Sequence, residues 1–419
     1  MSLSYADLLE ALGGHHVGVR AQTQLSPLGG PDDKVFPPTY SGQGGRATYA
    51  IESRRIGGET QTSVVLDSVA SQANRQELAL LAARETGAQV PTISVDFGTT
   101  DAPDLGTITA LEASHRVFDA IFRDSLNGEV LFRMSPEGRA ITEATPKNAA
   151  ALLELSPTTL LFGGWDSTGP KGGLGAKYER AVTSEIVATG IEAGSKTASR
   201  IDALGVAKSA GPIYTAQDAD EAWTVDPNEA ETDKKGPVKY GSAKSADAGR
   251  PSQINHGNVV PSIDESTGGV TADQILATSV LSFAQLRRLR FPVTVDGTPL
   301  DPASRADAEA AARAALAALG LLAITAATEQ GYDLRSRCVL VAHTGLTFQL
   351  VGRTLDDVTE FTLTTEEAQR LLDEAVADVR ARGLHWNDAD LVLQPTPKLL
   401  ELVRRSRDHA AQVDPDEDE

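Results

Sequence analysis

Cysteine is all but missing from this sequence: Cys338 is the single one in 419 residues. An internal disulfide and a cysteine-cluster metal site are thereby excluded, and a reducing cytoplasm fits. Long apolar runs are missing too. None reaches the roughly 20 residues that cross a bilayer, and the opening MSLSYADLLEALGGHH is short, polar and acidic rather than a secretory leader. A cytoplasmic protein with no membrane partner is expected. The motifs of metal-dependent and acyl-enzyme hydrolysis, HExxH, GxSxG and a cysteine–histidine pair, do not occur, and there is no internal repeat.

Positive charge is in short supply. The 38 Lys and Arg face 58 Asp and Glu, a formal net charge of -20, which argues against a broad nucleic-acid-binding face. The deficit is uneven, however. Residues 190–275 carry 13 acidic and 8 basic side chains and residues 360–419 carry 15 and 7, so these stretches hold 13 of the 20 excess negative charges. The remainder is mildly acidic and includes acid-free basic patches. A basic groove in an acidic shell is compatible with that pattern, and so is acidity that serves solubility alone.

What the chain does have is glycine, concentrated in one stretch. In residues 156–189, SPTTLLFGGWDSTGPKGGLGAKYERAVTSEIVAT, an apolar run at 159–162 enters a loop holding Gly163, Gly164, Gly169, Gly172, Gly173 and Gly175, and a β-branched run at 181–188 leaves it. The pattern reads as strand, long glycine loop, strand. Glycine brings bare N–H groups close to an anion, and Lys171, Lys177 and Arg180 add positive charge, so a phosphate or a nucleic-acid backbone is the natural guest. A turn-rich surface loop is the plainer reading. Two specific phosphate motifs fail: Ala176 separates Gly175 from Lys177 where a P-loop needs them adjacent, and Tyr178 stands where GxGxxG needs its third glycine. The WDS of 165–167 reads either as a site or as a turn-capping Asp166 beside a packed Trp165.

In chain order, residues 5–12 read as a helix and 17–23 as a strand with Arg20 and Gln22 on one face. His15 and His16 would point to opposite faces of a strand, so a shared metal is not expected. Runs at 47–53 and 60–66 form a hairpin through RRIGGE. Asp67 or Ser68 caps the helix SVASQANRQELALLAAR, in which Gln72 and Arg75 share a face, as a solvated face or as a grip on phosphate or base. A strand is expected at 90–97, a helix at 109–124 bearing His115 and Arg116, and a helix from Pro146 to Leu155 capped by Thr145. Residues 191–269 are poor in large apolar side chains and read as a mobile insertion or an arm that orders on a partner, with Tyr214, Trp223 and Tyr240 available for stacking. Helical pattern resumes over 272–289 and ends in LRRLRF, whose Arg287, Arg288 and Arg290 have no acidic neighbour nearer than Asp273 and Asp296. A helix C-terminus also welcomes such cations. Asp301 caps an alanine-rich helix from Pro302 to about Ala318, with more helix or a break after Gly320. Residues 335–342 read as a strand with Arg335 and Arg337 on one face and 346–351 as its partner, followed by helices at 364–382 and 398–411. The organisation expected is an α+β fold with parts at 1–189 and 272–412, an insertion at 190–271 and an acidic tail at 413–419.

Five blocks carry a resemblance: DSVASQANRQE, LEASHRVFDAIFRDS, SPTTLLFGGWDSTGPKGGLGAKYERAVTSEI, LRRLRF and ALGLLAITAATEQGYDLRSRC. Together they resemble the backbone subunit of the type I-G CRISPR effector, formerly I-U, in the Cas-seven group of the RAMP superfamily. The resemblance implies a modified RNA-recognition-motif (ferredoxin-like) palm with finger-like and thumb-like insertions. It implies copies of the chain lining a CRISPR RNA as a filament in a Cascade complex, where the guide pairs with a target DNA strand and the protein reads backbone and shape. Further implied partners are the fused Cas-five/Cas-six type subunit, the large subunit and, indirectly, the helicase-nuclease. On the matching motifs RNA contact is expected at Gln72, Asn74, Arg75, His115, Arg116, Lys171, Gly172, Gly173, Lys177, Arg180, Arg287, Arg288, Arg290, Arg335 and Arg337. No catalytic residue, metal or cofactor is expected. The competing readings are a RAMP-type endoribonuclease with His15, His16 or His115 as general acid or base, and a nucleotide-binding enzyme built on the glycine loop.

Overall fold

The computed structural model describes residues 3–42, 47–169, 175–218, 220–241, 247–294 and 297–410. Lys171, Gly172, Gly173 and the acidic tail lie outside them. The chain divides into two compact units, one formed by residues 1–38, 50–192 and 271–404 and the other by 39–49, 193–270 and 405–419. Helix and strand contents of 32% and 31% fit the α+β class.

The larger unit is built on a nine-stranded sheet. Strand β1 (Gly18–Pro27) alternates buried Val19, Ala21, Thr23 and Leu25 with outward Arg20, Gln22 and Gln24, so its pattern dictates one covered and one open face. Strands β2 (Ile51–Ile56) and β3 (Glu59–Asp67) form the expected hairpin, turned at Gly57 and Gly58, whose φ values of 59° and 91° suit glycine. Helix α1 (Tyr5–Gly13) precedes β1, and helix α2 (Val69–Glu85), capped by Ser68, follows β3. A five-stranded sheet draws on β4 (Ile93–Asp96), β5 (Thr107–Thr109), β6 (Ser125–Asn127) and β7 (Val130–Leu131).

Residues 159–162, expected as a strand, belong instead to helix α3 (Pro157–Phe162). Proline suits its first turn, and Gly163, with φ 85°, ends it. A short hairpin follows, β8 (Gly164–Trp165) against β9 (Lys177–Tyr178), and then β10 (Val182–Ala193), the strand expected from the β-branched run. Residues 109–124 are not one helix: a 3-10 turn (Arg116–Phe118) and a helical turn (Ala120–Arg123) are separated by Asp119, and Arg116 has φ 53°. The helix expected from Pro146 starts only at Ala150.

The largest departure is β11 (Val270–Ser282), whose sequence reads as helix. It pairs with β1 antiparallel, Gly18 opposite Ser282 and Leu25 opposite Ile275. Its β-branched residues and this long partner outweigh the helical spacing of its apolar residues, and only Phe283–Leu286 is helical. Helix α4 (Pro302–Glu329) runs unbroken through Gly320. Then come β12 (Tyr332–Arg335), β13 (Cys338–Ala342), β14 (Phe348–Val351) and β15 (Val358–Phe361), helix α5 (Thr365–Ala381), β16 (Leu391–Pro395) and helix α6 (Pro397–Ala410). Residues 335–342 are therefore a hairpin rather than one strand, turned at Ser336 and Arg337, the latter with φ 60°. β14 pairs with β1 and β15, not with β13, because β1 divides one edge between β13 at its end and β14 at its start. The sheet order is β12-β13-β1-β11-β10-β3-β2, so β11 lies between two strands that both precede it.

Helix α4 is long and apolar enough to cross a membrane by composition, a length that a break after Gly320 would have halved. Here it is a core helix, 83% of its most apolar window buried, packed against α1, α2 and α5. Gly320 permits the approach to the sheet: a Cβ there would lie 3.1 Å from Val182 Cγ2 and 3.3 Å from Leu281 Cδ1. Gly320→Leu is therefore expected to destabilise the fold by about 1–3 kcal/mol through overpacking, read as a lower urea midpoint at unchanged slope.

His15 and His16 are in the turn before β1, not on a strand. Their rings stack at 4.3 Å, and His15 Nε2 lies 3.1 Å from Asp357 Oδ2.

The second unit contains an antiparallel ladder between Lys196–Arg200 and Val259–Asp264 and the two-stranded pairings Tyr214–Thr215 with Trp223–Thr224, Thr232–Asp233 with Gly236–Pro237, and Thr39–Ser41 with Ala47–Tyr49. Ile213, Ala216 and Ala230 are buried there, whereas Ile201, Leu204, Val260 and Ile263 are exposed.

Candidate nucleic-acid interface

Asp67, the last residue of β3, is fully buried, and its carboxylate gathers donors from two directions. The first turns of α2 return to it through Ser71 Oγ (2.8 Å), Gln72 Nε2 (2.7 Å) and Arg75 Nε (3.0 Å), and Arg335 Nη2 reaches it from β12 (3.3 Å). Arg75 also donates to the carbonyls of Asp333 (3.1 Å) and Leu334 (2.6 Å), tying α2 to β12. Arg335 donates to the Phe36 carbonyl at 3.4 Å, and the Arg337 guanidinium lies 4.1 Å from the centroid of the Phe36 ring. Folding thus brings Gln72, Arg75 and Arg335 together on one carboxylate, two guanidiniums on a single negative charge, while Arg337 meets the Phe36 ring. Asn74 is exposed on α2.

The second group is the β8–β9 hairpin. Trp165, expected to pack, is 46% exposed, and Lys177 Nζ sits 4.3 Å from its ring centroid, a cation on an aromatic face. Asp166 is buried and pairs with Arg133 Nη2 at 2.7 Å, while Arg133 Nη1 donates to the Thr168 carbonyl at 3.0 Å. Glycine is required here by close approach: a Cβ on Gly175 would fall 2.2 Å from the Asp166 carbonyl oxygen. A cavity of about 330 Å³ opens beside Lys177, Tyr178, Arg288, Leu160 and Leu289. Arg180 is exposed, as is Arg288, whose Nη1 meets Glu179 at 2.9 Å.

Three of the residues expected at RNA are tied to other groups of the protein, one of them buried, one half-buried and one exposed. Arg116 is 7% exposed and makes a bidentate pair with buried Glu77, both bonds 2.7 Å, with a third bond to the Gly163 carbonyl at 3.2 Å. Burial pushes the Glu77 carboxyl up to about 7, against the pull of Arg116. Arg287 donates to the carbonyls of Ala11 (3.2 Å), Leu12 (2.8 Å) and His16 (2.8 Å), serving the C-terminus of α1, which has no basic residue in its own last turn. Arg290 Nη1 binds Glu309 at 2.6 Å, beside Arg305 (3.0 Å) and Arg313 (2.8 Å) on the same carboxylate. The LRRLRF run is therefore compensated in three dimensions, and of its arginines Arg288 is the most exposed. His115 is exposed beside the Arg116 turn.

Residues 19–193 match the model of a family described as CRISPR-associated protein GSU0053. The match covers less than half of the chain. No curated protein matches the chain. The matched region ends where β10 ends, and it contains Asp67, Gln72, Arg75, the Glu77–Arg116 pair and both strands of the β8–β9 hairpin. Arg288, Arg335 and Arg337 lie beyond it in sequence and are brought to it by folding.

Several residues of this region do not stand out in the sequence. Asp67 reads there only as a possible cap, although its spacing to 71, 72 and 75 is what one helix face turned back on a carboxylate looks like. Arg133 and Phe36 carry no local signal, because their partners are distant in the chain. Among the described residues there is no group of His, Cys, Asp and Glu placed to hold a metal ion.

Proposed function

We propose that this chain is a guide-RNA-binding backbone subunit of a CRISPR effector, of the Cas-seven group and type I-G, which polymerises along a CRISPR RNA and presents it to target DNA. The observation that carries the reading is the hairpin in the matched region: an exposed indole with a lysine on its face, Trp165 and Lys177 flanking a glycine-rich stretch of the sequence. Aromatic faces stack bases without regard to sequence, and lysine and bare N–H groups hold phosphate. The order β1, α2, β10, β11, α4, β13, with β11 between β1 and β10, supports an RNA-recognition-motif palm. In that reading residues 193–270, which leave after β10 and return at β11, are the thumb-like insertion. The central strands β1 and β11 carry no aromatic side chain, so stacking falls to the hairpin rather than to the sheet face used in many such domains.

The role is holding RNA rather than cleaving it. His115 stands exposed, while His15 and His16 stack on each other beside Asp357. The partners that follow are further copies of the chain, the fused Cas-five/Cas-six type and large subunits and, through the assembled complex, the helicase-nuclease, all in the cytoplasm.

The test is copurification with CRISPR RNA and the neighbouring subunits, with Lys177→Glu/Arg288→Glu in parallel. These positions are chosen over Arg287, whose loss would disturb α1. The double variant is expected to retain at least tenfold less RNA and to show a shallower salt dependence, by about 0.7 in log–log slope for each phosphate that is no longer neutralised. An RNA-free monomer in the presence of all partners, or RNA retention indifferent to both charges, would sink the reading.

A further inference from the structure

Glu309 is buried, and three arginines from two segments share it. Arg305, Glu309 and Arg313 follow one another at i,i+4 spacing on one face of α4. Arg290 comes from the LRRLRF run, whose backbone is fastened alongside residues 146–149: the Arg290 N–H donates to the Pro146 carbonyl and the Ala149 N–H to the Arg290 carbonyl, both at 2.9 Å. The carboxylate is saturated. Its Oε1 accepts from Arg305 Nε (3.0 Å) and the Phe291 N–H (3.4 Å), and its Oε2 from Arg290 Nη1 (2.6 Å) and Arg313 Nη2 (2.8 Å), which occupies the lone pairs a carboxylate has to offer.

One carboxylate does not neutralise three guanidiniums, so the cluster keeps an excess of two positive charges. Arg313 registers that excess. Burial holds its guanidinium below the ordinary arginine value, and Arg290 and Arg287 repel it further against the pull of Glu309. Arg290 and Arg305 are placed differently, because their side chains are 47% and 40% exposed. Each gives a single N–H to Glu309, and neither side chain makes another hydrogen bond among the described residues. Bound to opposite oxygens of one carboxylate, they are neighbours with the rest of their N–H forks unused. Two anchored, half-exposed guanidiniums with a shared surplus of charge suit an oxyanion.

Charge selects among oxyanions. A phosphodiester inside a strand carries a single negative charge, whereas a phosphate monoester carries about −1.5 to −2 near neutral pH, with three strong acceptor oxygens. The surplus matches the monoester. We propose that Arg290 and Arg305, oriented by Glu309, bind a terminal phosphate group, carried either by the end of an RNA strand or by a free nucleotide. The site is built from residues other than the β8–β9 hairpin and does not depend on the hairpin's role.

The test is a fluorescence-anisotropy titration of the full chain carrying Lys177→Ala/Arg288→Ala, which removes the hairpin cations without adding negative charge. The probes are one short oligoribonucleotide with a 5′-phosphate, with a 3′-phosphate, or with hydroxyls at both ends. A phosphorylated end is expected to bind at least tenfold more tightly than the unphosphorylated strand. Arg305→Gln leaves Arg290 and Arg313 on Glu309 and is expected to abolish that preference while the urea midpoint stays near the parent's; if it does not fold, Arg290→Gln carries the test. AMP that competes as well as the phosphorylated strand assigns the site to free nucleotides, and competition by the strand alone assigns it to an RNA end. Equal affinity for phosphorylated and unphosphorylated strands, or a preference that survives the glutamine substitution, overturns the proposal and leaves the cluster as a clasp between α4 and the LRRLRF run. Guide retention in Lys177→Glu/Arg288→Glu judges the RNA reading separately, so either can fail alone.

Discussion

Glu77→Ala is expected to lower the folding free energy by about 3–5 kcal/mol, the cost of leaving one partner of a buried ion pair uncompensated. Both side chains are almost fully enclosed, at 2% and 8% exposure, so little solvent is available to rescue Arg116. Arg116 cannot swing away easily either. Its backbone has φ 53°, rare for a residue with a side chain, and its guanidinium is fixed by the Gly163 carbonyl and lies 5.5 Å from the centroid of the Phe162 ring. Against a typical total of about 5–15 kcal/mol, a loss of this size takes a large share of the stability. Urea denaturation of Glu77→Ala, Arg116→Met and the double variant Glu77→Leu/Arg116→Met forms the check. The double variant should recover most of the loss, because an apolar pair removes the stranded charge. Equal destabilisation in the double and single variants would show that packing rather than charge is responsible.

Asp67→Ala is expected to cost about 3 kcal/mol, at the lower end of the range for a broken buried pair. The carboxylate is fully enclosed, but Arg75 and Arg335 are 34% and 26% exposed and water softens their loss. The effect on assembly should be larger than on stability. With Asp67 gone, Gln72, Arg75 and Arg335 lose the anchor that orients them together, so RNA retention should fall at least tenfold even under conditions where the variant is folded. Asp67→Asn keeps the volume and the acceptor oxygen while removing the charge, and should lie between. If circular dichroism shows Asp67→Ala folded and RNA retention equals the parent's, the cluster has no part in binding.

Much of the fold is legible in sequence where the signal is local. The β2–β3 hairpin follows from two glycines between alternating runs, α2 and α5 from their serine and threonine caps, and β10 from its β-branched residues. β11 is not legible, because its helical spacing is real and only the presence of β1 alongside decides against it. α3 reads wrongly because so short an apolar run as 159–162 does not distinguish a buried helix from a buried strand, and Pro157 is the cue that favours helix. The same limit governs the site. Lys177 and Arg288 reach a shared cavity and Arg75 and Arg335 a shared carboxylate, as their chemistry allows. Arg116 and Arg290 look equally unpaired and are not, since Glu77 and Glu309 meet them only after folding. A charge run reveals its own sign, and not the residues that neutralise it from another element.

Strand β1 is synthesised well before the strands that flank it. Its residue Gly18 faces Ser282 on one side and Val351 on the other. At about 5–20 residues per second, the roughly 330 residues between Gly18 and Val351 take on the order of half a minute to emerge. Until β11 emerges both edges of β1 offer unpaired N–H and C=O groups, and until β14 emerges one of them still does, in the crowded vicinity of the ribosome, where neighbouring nascent copies carry the same exposed strand. The centre of the large sheet therefore closes only once β14 has been made, and the yield of native protein should respond to chaperone supply and translation rate more than its final stability would indicate.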